Sequence, residues 1–107
     1  MEQSSKTLTF VVPAYNMETY LERCVESLLS ATDNSDIEVL IVDDGSSDST
    51  PELADMYERR WPGNVRAIHQ VNKGHGGAVN TGIANATGMY VKVVDADDWV
   101  DMPSIDT

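Results

Sequence analysis

Basic residues are scarce in this chain: seven Lys and Arg stand against eighteen Asp and Glu, a formal charge of −11 over 107 residues. A surface of that sign repels a nucleic-acid backbone or an anionic membrane, so neither is expected as a direct partner. An anionic small molecule would need local help from helix N-termini or a metal ion. Cysteine is almost missing. Cys24 stands alone, which excludes an internal disulfide and a thiolate metal site and fits a reducing compartment. Long apolar runs are missing too: no stretch approaches the ~18–20 residues of a membrane span, and the start MEQSSKTLTF lacks the apolar core of a signal peptide. The expected location is therefore cytoplasmic, with membrane association only through parts of a longer parent. There is no internal repeat and no low-complexity tract, and the length allows one small domain.

What is present is a regular alternation. LTFVVP (8–13) reads as a buried strand ended by proline, after a loose polar N-terminus at residues 1–7. METYLERCVESLLSA (17–31) places Tyr20, Leu21, Cys24, Val25, Leu28 and Leu29 on one helical stripe, so Cys24 is expected in the core. IEVLIV (37–42) is continuously apolar, which suits a parallel strand covered on both faces. DDGSSDSTPE (43–52) turns into a second helix. Thr50 with Pro51 predicts the cap, and Ser49 with Glu52 offers a capping box. VRAIHQV (65–71) predicts a third strand, NKGHGGAVNTGIANATG (72–88) a glycine-rich turn and a small-residue helix, and MYVKVV (89–94) a fourth strand. This order implies an α/β fold with a parallel sheet and right-handed crossovers.

The polar clusters all fall at the carboxyl ends of the predicted strands: Pro13–Asn16, Asp43–Asp48, Gln70–Gly77 and Asp95–Asp98. Ligands of open parallel sheets bind outside those ends, where strand order reverses. In DDGSSD (43–48) a carboxylate can accept a hydrogen bond from a nucleobase N–H or a ribose hydroxyl, although Asp-Gly is also ordinary turn chemistry. NKGHGG (72–77) is neither a Walker A loop nor a G-x-G-x-x-G fingerprint. Its backbone and His75 can still meet a phosphate, or the glycines can simply serve close packing. His69, inside a strand, reads as structural. VVDADDWVDM (93–102) crowds Asp95, Asp97, Asp98 and Asp101 together. Two carboxylates ~5 Å apart repel by roughly 3 kcal/mol at an effective dielectric of about 20. Mg²⁺ or Mn²⁺ would relieve that repulsion and bridge to a diphosphate.

Taken together, TFVVPAYN (9–16), VLIVDDGSSDST (39–50), NKGHGGAVNTGIANATGMYV (72–91) and VVDADDWVD (93–101) resemble the nucleotide-binding part of a family-2 glycosyltransferase of GT-A fold. The resemblance covers residues 8–107 and implies a Rossmann-like half-domain. It implies that Pro13, Ala14 and Tyr15 line a nucleobase pocket. Asp44 would bond the base, Asp43 would support the loop, and Gly74 and Gly76 would keep backbone close to the nucleotide. Asp95 would approach ribose or sugar, and Asp97, with Asp95, would ligate Mg²⁺ or Mn²⁺, with Asp98 behind them. The implied reaction is inverting transfer of a sugar from a nucleoside-diphosphate sugar, UDP-linked, to a hydroxyl of a glycan or lipid-linked saccharide. Two departures stand out. Val79 occupies a position where many relatives are basic, and the chain ends six residues after Asp101. A truncated chain without the general base and without activity of its own is therefore expected, with a sheet edge open to homo-oligomerisation. The competing readings are a haloacid-dehalogenase-type phosphotransferase, which wants a small residue where Trp99 stands, and a receiver-like domain, which wants a strand-end lysine where Lys92 is internal. A nucleotide-binding fragment without catalysis is the third.

Overall fold

The computed structural model describes residues 6–30 and 36–95. Their order is β1 (Lys6–Ala14), α1 (Glu18–Ser30), β2 (Ile37–Asp44), α2 (Thr50–Arg60), β3 (Val65–Gln70), α3 (Gly74–Asn85) and β4 (Gly88–Val93). The strands form one parallel sheet in the order β3-β2-β1-β4. The expected α/β fold with a parallel sheet is what the chain adopts. The crossover through α3 carries the chain from one edge of the sheet to the other, so strand order reverses between β1 and β4.

Strand periodicity sorts the side chains onto two faces. Phe10, Val12, Val39, Ile41 and Val65 pack with α1 and α2. Val11, Leu40 and Val42 pack with Ala78 of α3 on the other face. Every residue of β2 is buried, as its unbroken apolar run predicts. Each such aliphatic side chain contributes about 1.5–3 kcal/mol on burial. β4 has only β1 as a neighbour among the described residues, and Met89, Tyr90, Val91 and Val93 stay exposed.

The amino end of the sheet is tied by a buried acid. Glu38 Oε1 accepts bonds from the Thr9 hydroxyl and from the Thr87 N–H and hydroxyl, while Oε2 accepts Arg66 Nε at 2.7 Å. Burial pushes this carboxyl up, but the bonds from Arg66, Thr87 and Thr9 outweigh it and hold Glu38 below the ordinary Glu range. The cluster joins β1, β2, β3 and the start of β4 at the edge opposite the polar strand ends.

Three expectations are corrected. The first residue of α2 is Thr50, and Ser49 at the cap makes no side-chain capping bond among the described residues. Asp48 accepts the Thr50 N–H instead, and the Thr50 hydroxyl accepts Met17 N–H, so this loop caps both α1 and α2. The glycines of 74–77 form the first turn of α3 rather than a turn before it. Tyr20 lies outside the buried stripe of α1 and is exposed, because the helix packs only through Leu21, Cys24, Val25, Leu28 and Leu29.

Candidate functional site

A cleft of about 390 Å³ opens over the carboxyl ends of β2, β1 and β4, and so includes the place between β1 and β4 where strand order reverses. Pro13, Ala14, Tyr15 and Met17 form one wall, continuing straight out of β1. Asp44 from the end of β2, Asn72, Gly74, His75 and Ala78 from the loop and first turns of α3, and Asp95 after β4 form the rest. Of the residues expected from the sequence, Pro13, Ala14, Tyr15, Asp44, Gly74 and Asp95 therefore share one space. Asp43 and Gly76 do not line it, and Asp97 and Asp98 lie outside the described residues. Met17, Asn72 and Ala78 join the wall without having been singled out. The sequence signal for Ala78 is its place in the small-residue helix that packs on β1 and β2.

The two aspartates at the end of β2 divide by strand alternation. Asp44 continues the row of Leu40 and Val42 and faces α3; Asp43 continues the row of Val39 and Ile41 and faces α2. Each is paired across the ladder with the residue opposite, Asp43 with His69 and Asp44 with Gln70. Asp44 Oδ1 accepts Gln70 Nε2 at 2.9 Å and Lys73 N–H at 2.8 Å, and Asn72 Nδ2 donates to the Asp44 carbonyl. Burial pushes the Asp44 carboxyl up, yet the Gln70 amide, the Lys73 and Gly74 backbone and the Lys73 charge together hold it below the ordinary Asp range. Asp44 is thus an anion fixed at the cleft wall.

The turn between β2 and α2 is set from several directions. Asp43 Oδ1 accepts Ser46 N–H, Asn16 N–H donates to Ser46 Oγ, and Asn16 Oδ1 accepts Ser47 N–H. Asn16 takes φ 53, a left-handed conformation that Asn tolerates better than most residues. Gly45 has φ +75, and a Cβ there would lie 2.8 Å from the Asn72 backbone nitrogen. Glycine is required at this position twice over, by its backbone and by the closeness of the two loops.

At the far wall His75 Nε2 lies 2.6 Å from Asp95 Oδ1. The pair links the first turn of α3 to the end of β4. Among the described residues no group of three or more His, Cys, Asp or Glu side chains is placed to hold a metal ion; Asp95 alone offers a hard carboxylate oxygen, one-third exposed, beside the cleft. Cys24 has no part in it. Burial, and then the charge of Asp95, push its thiol up to about 12, so it is an unreactive core group.

Comparison with known proteins agrees with this arrangement. The sequence pattern of Glycosyl transferase family 2 matches residues 9–105. The chain is 45% identical over 93 residues to the uncharacterized glycosyltransferase EpsJ of Bacillus subtilis, covering 87% of this chain and 26% of EpsJ. It is 39% identical to chondroitin synthase of Escherichia coli, over 92% of this chain and 14% of that enzyme. Among solved structures, Staphylococcus aureus TarS 1–349 in complex with UDP superposes with a TM-score of 0.76 at 30% identity, over 85% of this chain and 27% of TarS. The mannosyltransferase PcManGT of Pyrobaculum calidifontis, in complex with GDP-Man and Mn²⁺, gives 0.76 at 27% identity, over 87% of this chain and 28% of its own. The chain thus spans about a quarter of the length of these structures, on the GT-A arrangement they share. Among the described residues no helix is long and apolar enough to cross a membrane. A sequence match that runs from β1 through the aspartate cluster, on the sheet order just described, makes this chain a member of glycosyl transferase family 2.

Proposed function

We propose that the chain is the donor-binding part of a metal-dependent, inverting glycosyltransferase that takes a sugar from a uridine-diphosphate sugar. The observation that carries this reading is the convergence of Asp44, Gly74, His75 and Asp95 on one cleft at the point where strand order reverses. Tyr15 and the Pro13–Ala14 backbone pack against the base. Asp44, with Oδ1 already held by Gln70 and Lys73, uses its remaining oxygen to accept a base N–H. Asp43 holds the loop from the opposite face. The first turn of α3, including Gly74 and Gly76, directs backbone N–H groups and the positive end of the helix toward the diphosphate, which offsets the negative charge of the chain.

Asp95, with Asp97, would hold Mg²⁺ or Mn²⁺, and the ion would supply charge neutralisation on the departing diphosphate. An acceptor hydroxyl on a glycan or lipid-linked saccharide forms the new bond to the anomeric carbon as the bond to the diphosphate oxygen breaks. Its proton passes to a carboxylate that we assign to the three-quarters of the relatives' length that this chain does not cover. The ligands bound in the solved neighbours, UDP and UDP-GlcNAc in TarS and GDP-Man in PcManGT, support a nucleotide sugar as ligand class. We place the chain on the cytoplasmic side, associated with a membrane only through the rest of the parent.

Titration calorimetry of the chain with UDP or GDP in the presence of Mn²⁺ tests the reading. UDP should bind, and Asp44→Asn should weaken it by about tenfold or more, the loss expected for a hydrogen bond to a charged acceptor. Binding of GDP in preference to UDP would overturn the uridine assignment. Unchanged UDP affinity in Asp44→Asn would remove Asp44 from the site.

A further inference from the structure

His69 lies outside the cleft, yet both of its ring nitrogens are engaged. Nδ1 is 2.8 Å from Asp43 Oδ2, and Nε2 is 2.8 Å from Asp55 Oδ1 on α2. A neutral imidazole carries one N–H and would turn a lone pair toward one of these carboxylates. Only the doubly protonated ring donates to both. The pair Asp43–His69 sits directly across the β2–β3 ladder, one position before the cleft-facing pair Asp44–Gln70. Asp43 uses its other oxygen to hold Ser46 N–H, and so the turn from which Asp44 and the Asn16 contact are built. A chain of bonds therefore runs from α2 through His69 and Asp43 to the loop that borders the cleft.

We propose that His69, as an imidazolium bridging Asp43 and Asp55, is a positioning residue that fixes the 43–48 turn, so that nucleotide affinity falls when His69 loses its proton. This rests on the donor-binding reading above. The groups that face the ring are Asp43 from β2 and Asp55 from α2; on β3 itself, Arg66 points to the opposite face, toward Glu38. The side-chain bonds from Asp43 and then Asp55 raise the His69 value above the ordinary histidine range, against the opposing effect of burial. The sign follows: the clamp is complete below about pH 6.5 and is lost as pH rises through the raised value. Loss of the proton leaves one of the two carboxylates facing a ring nitrogen without hydrogen.

The test uses the 107-residue chain, UDP and Mg²⁺ between about pH 5.5 and 8.5, comparing wild type with His69→Gln and Asp55→Asn. Taking the ratio of variant to wild-type affinity at each pH cancels ionisation of the ligand itself. Wild type should weaken by about three- to tenfold as His69 titrates, the loss of one charge-assisted bond acting through the loop. His69→Gln should be weak at pH 7 and lack this component. Asp55→Asn, at a carboxylate bonded to His69 alone among the described residues, should move the midpoint to lower pH and leave the high-pH affinity unchanged. Amide and imidazole NMR of the free chain supplies the second readout, with the Ser46 amide shifting in step with the His69 ring. A His69 value at or below the ordinary one, a Ser46 amide indifferent to it, or the same pH profile in wild type and His69→Gln would overturn the proposal. If UDP binds at no pH, the donor reading fails by itself, and the Ser46 titration then decides whether the clamp stands.

Discussion

Gly82 lies in the third turn of α3 where the helix crosses β1, and a Cβ placed there would sit 2.2 Å from Cγ1 and 3.1 Å from Cγ2 of Val11. Carbon atoms in contact normally stay about 3.5–4.0 Å apart, so Gly82→Ala requires the helix or the valine to move by more than about 1 Å. The valine cannot yield easily. Val11 is fully buried in an inner strand and, being β-branched, has few rotamers to choose from. Alanine gains about 1 kcal/mol over glycine in helix propensity, while overpacking a core costs about 1–3 kcal/mol and more where backbone must shift. We expect a net destabilisation of about 1–2 kcal/mol, or a fall in melting temperature of roughly 5–15 °C for a domain of this size. Gly76→Ala is the internal control. It lies in the same helix, with nothing within 4 Å of the added carbon, and should be neutral or stabilising by up to about 1 kcal/mol. Circular-dichroism melting and urea titration of both variants read the difference directly. His75, Ala78 and Gly82 share the sheet-facing side of α3, so lifting the helix at Gly82 should also weaken nucleotide binding. Gly82→Ala as stable as wild type, or both variants shifting the same way, would refute the close-packing argument.

Two further outcomes are expected. Glu38→Gln should cost about 2 kcal/mol in urea unfolding, below the usual figure for breaking a buried ion pair because Arg66 is 40% exposed; nucleotide affinity, read at the opposite sheet edge, should not change. Glu38, Asp44 and Asp48 all have carboxyl values held below the ordinary range, so the stability they contribute is present above about pH 4.3 and is lost as pH falls through their folded values. Urea midpoints measured from pH 6 down to 2.5 should fall, and Asp48→Asn should flatten part of that fall.

Much of this fold could be read from the chain because the strands are apolar runs and each stops at a polar cluster. IEVLIV is buried along its whole length, as an inner parallel strand must be, and Pro13–Tyr15, Asp44, Asn72, Gly74, His75 and Asp95, drawn from the four clusters, meet at one edge of the sheet. Two features escaped that reading for physical reasons. Glycine is a poor helix former, so HGG reads as turn; here packing of Ala78 and Gly82 on β1 and β2 holds α3 together and draws the glycines into its first turn. The separation of Asp43 from Asp44 was implicit in strand alternation, but the Asp43–His69–Asp55 bridge was not. It depends on the β2–β3 register and on the position of α2, which single-chain periodicity does not supply. MYVKVV shows the reverse case: its apolar pattern predicts a strand correctly, while its faces remain exposed beside β1.

The central claim is that this cleft holds a nucleoside diphosphate. Two-dimensional amide spectra of the 107-residue chain, recorded with and without UDP and Mg²⁺, test it most directly. The account predicts shifts concentrated at Tyr15, Asp44, Gly74, His75 and Asp95, with none around Glu38 and Thr87 at the other edge of the sheet. Shifts gathered away from those strand ends, or a spectrum unchanged at saturating UDP, would contradict it.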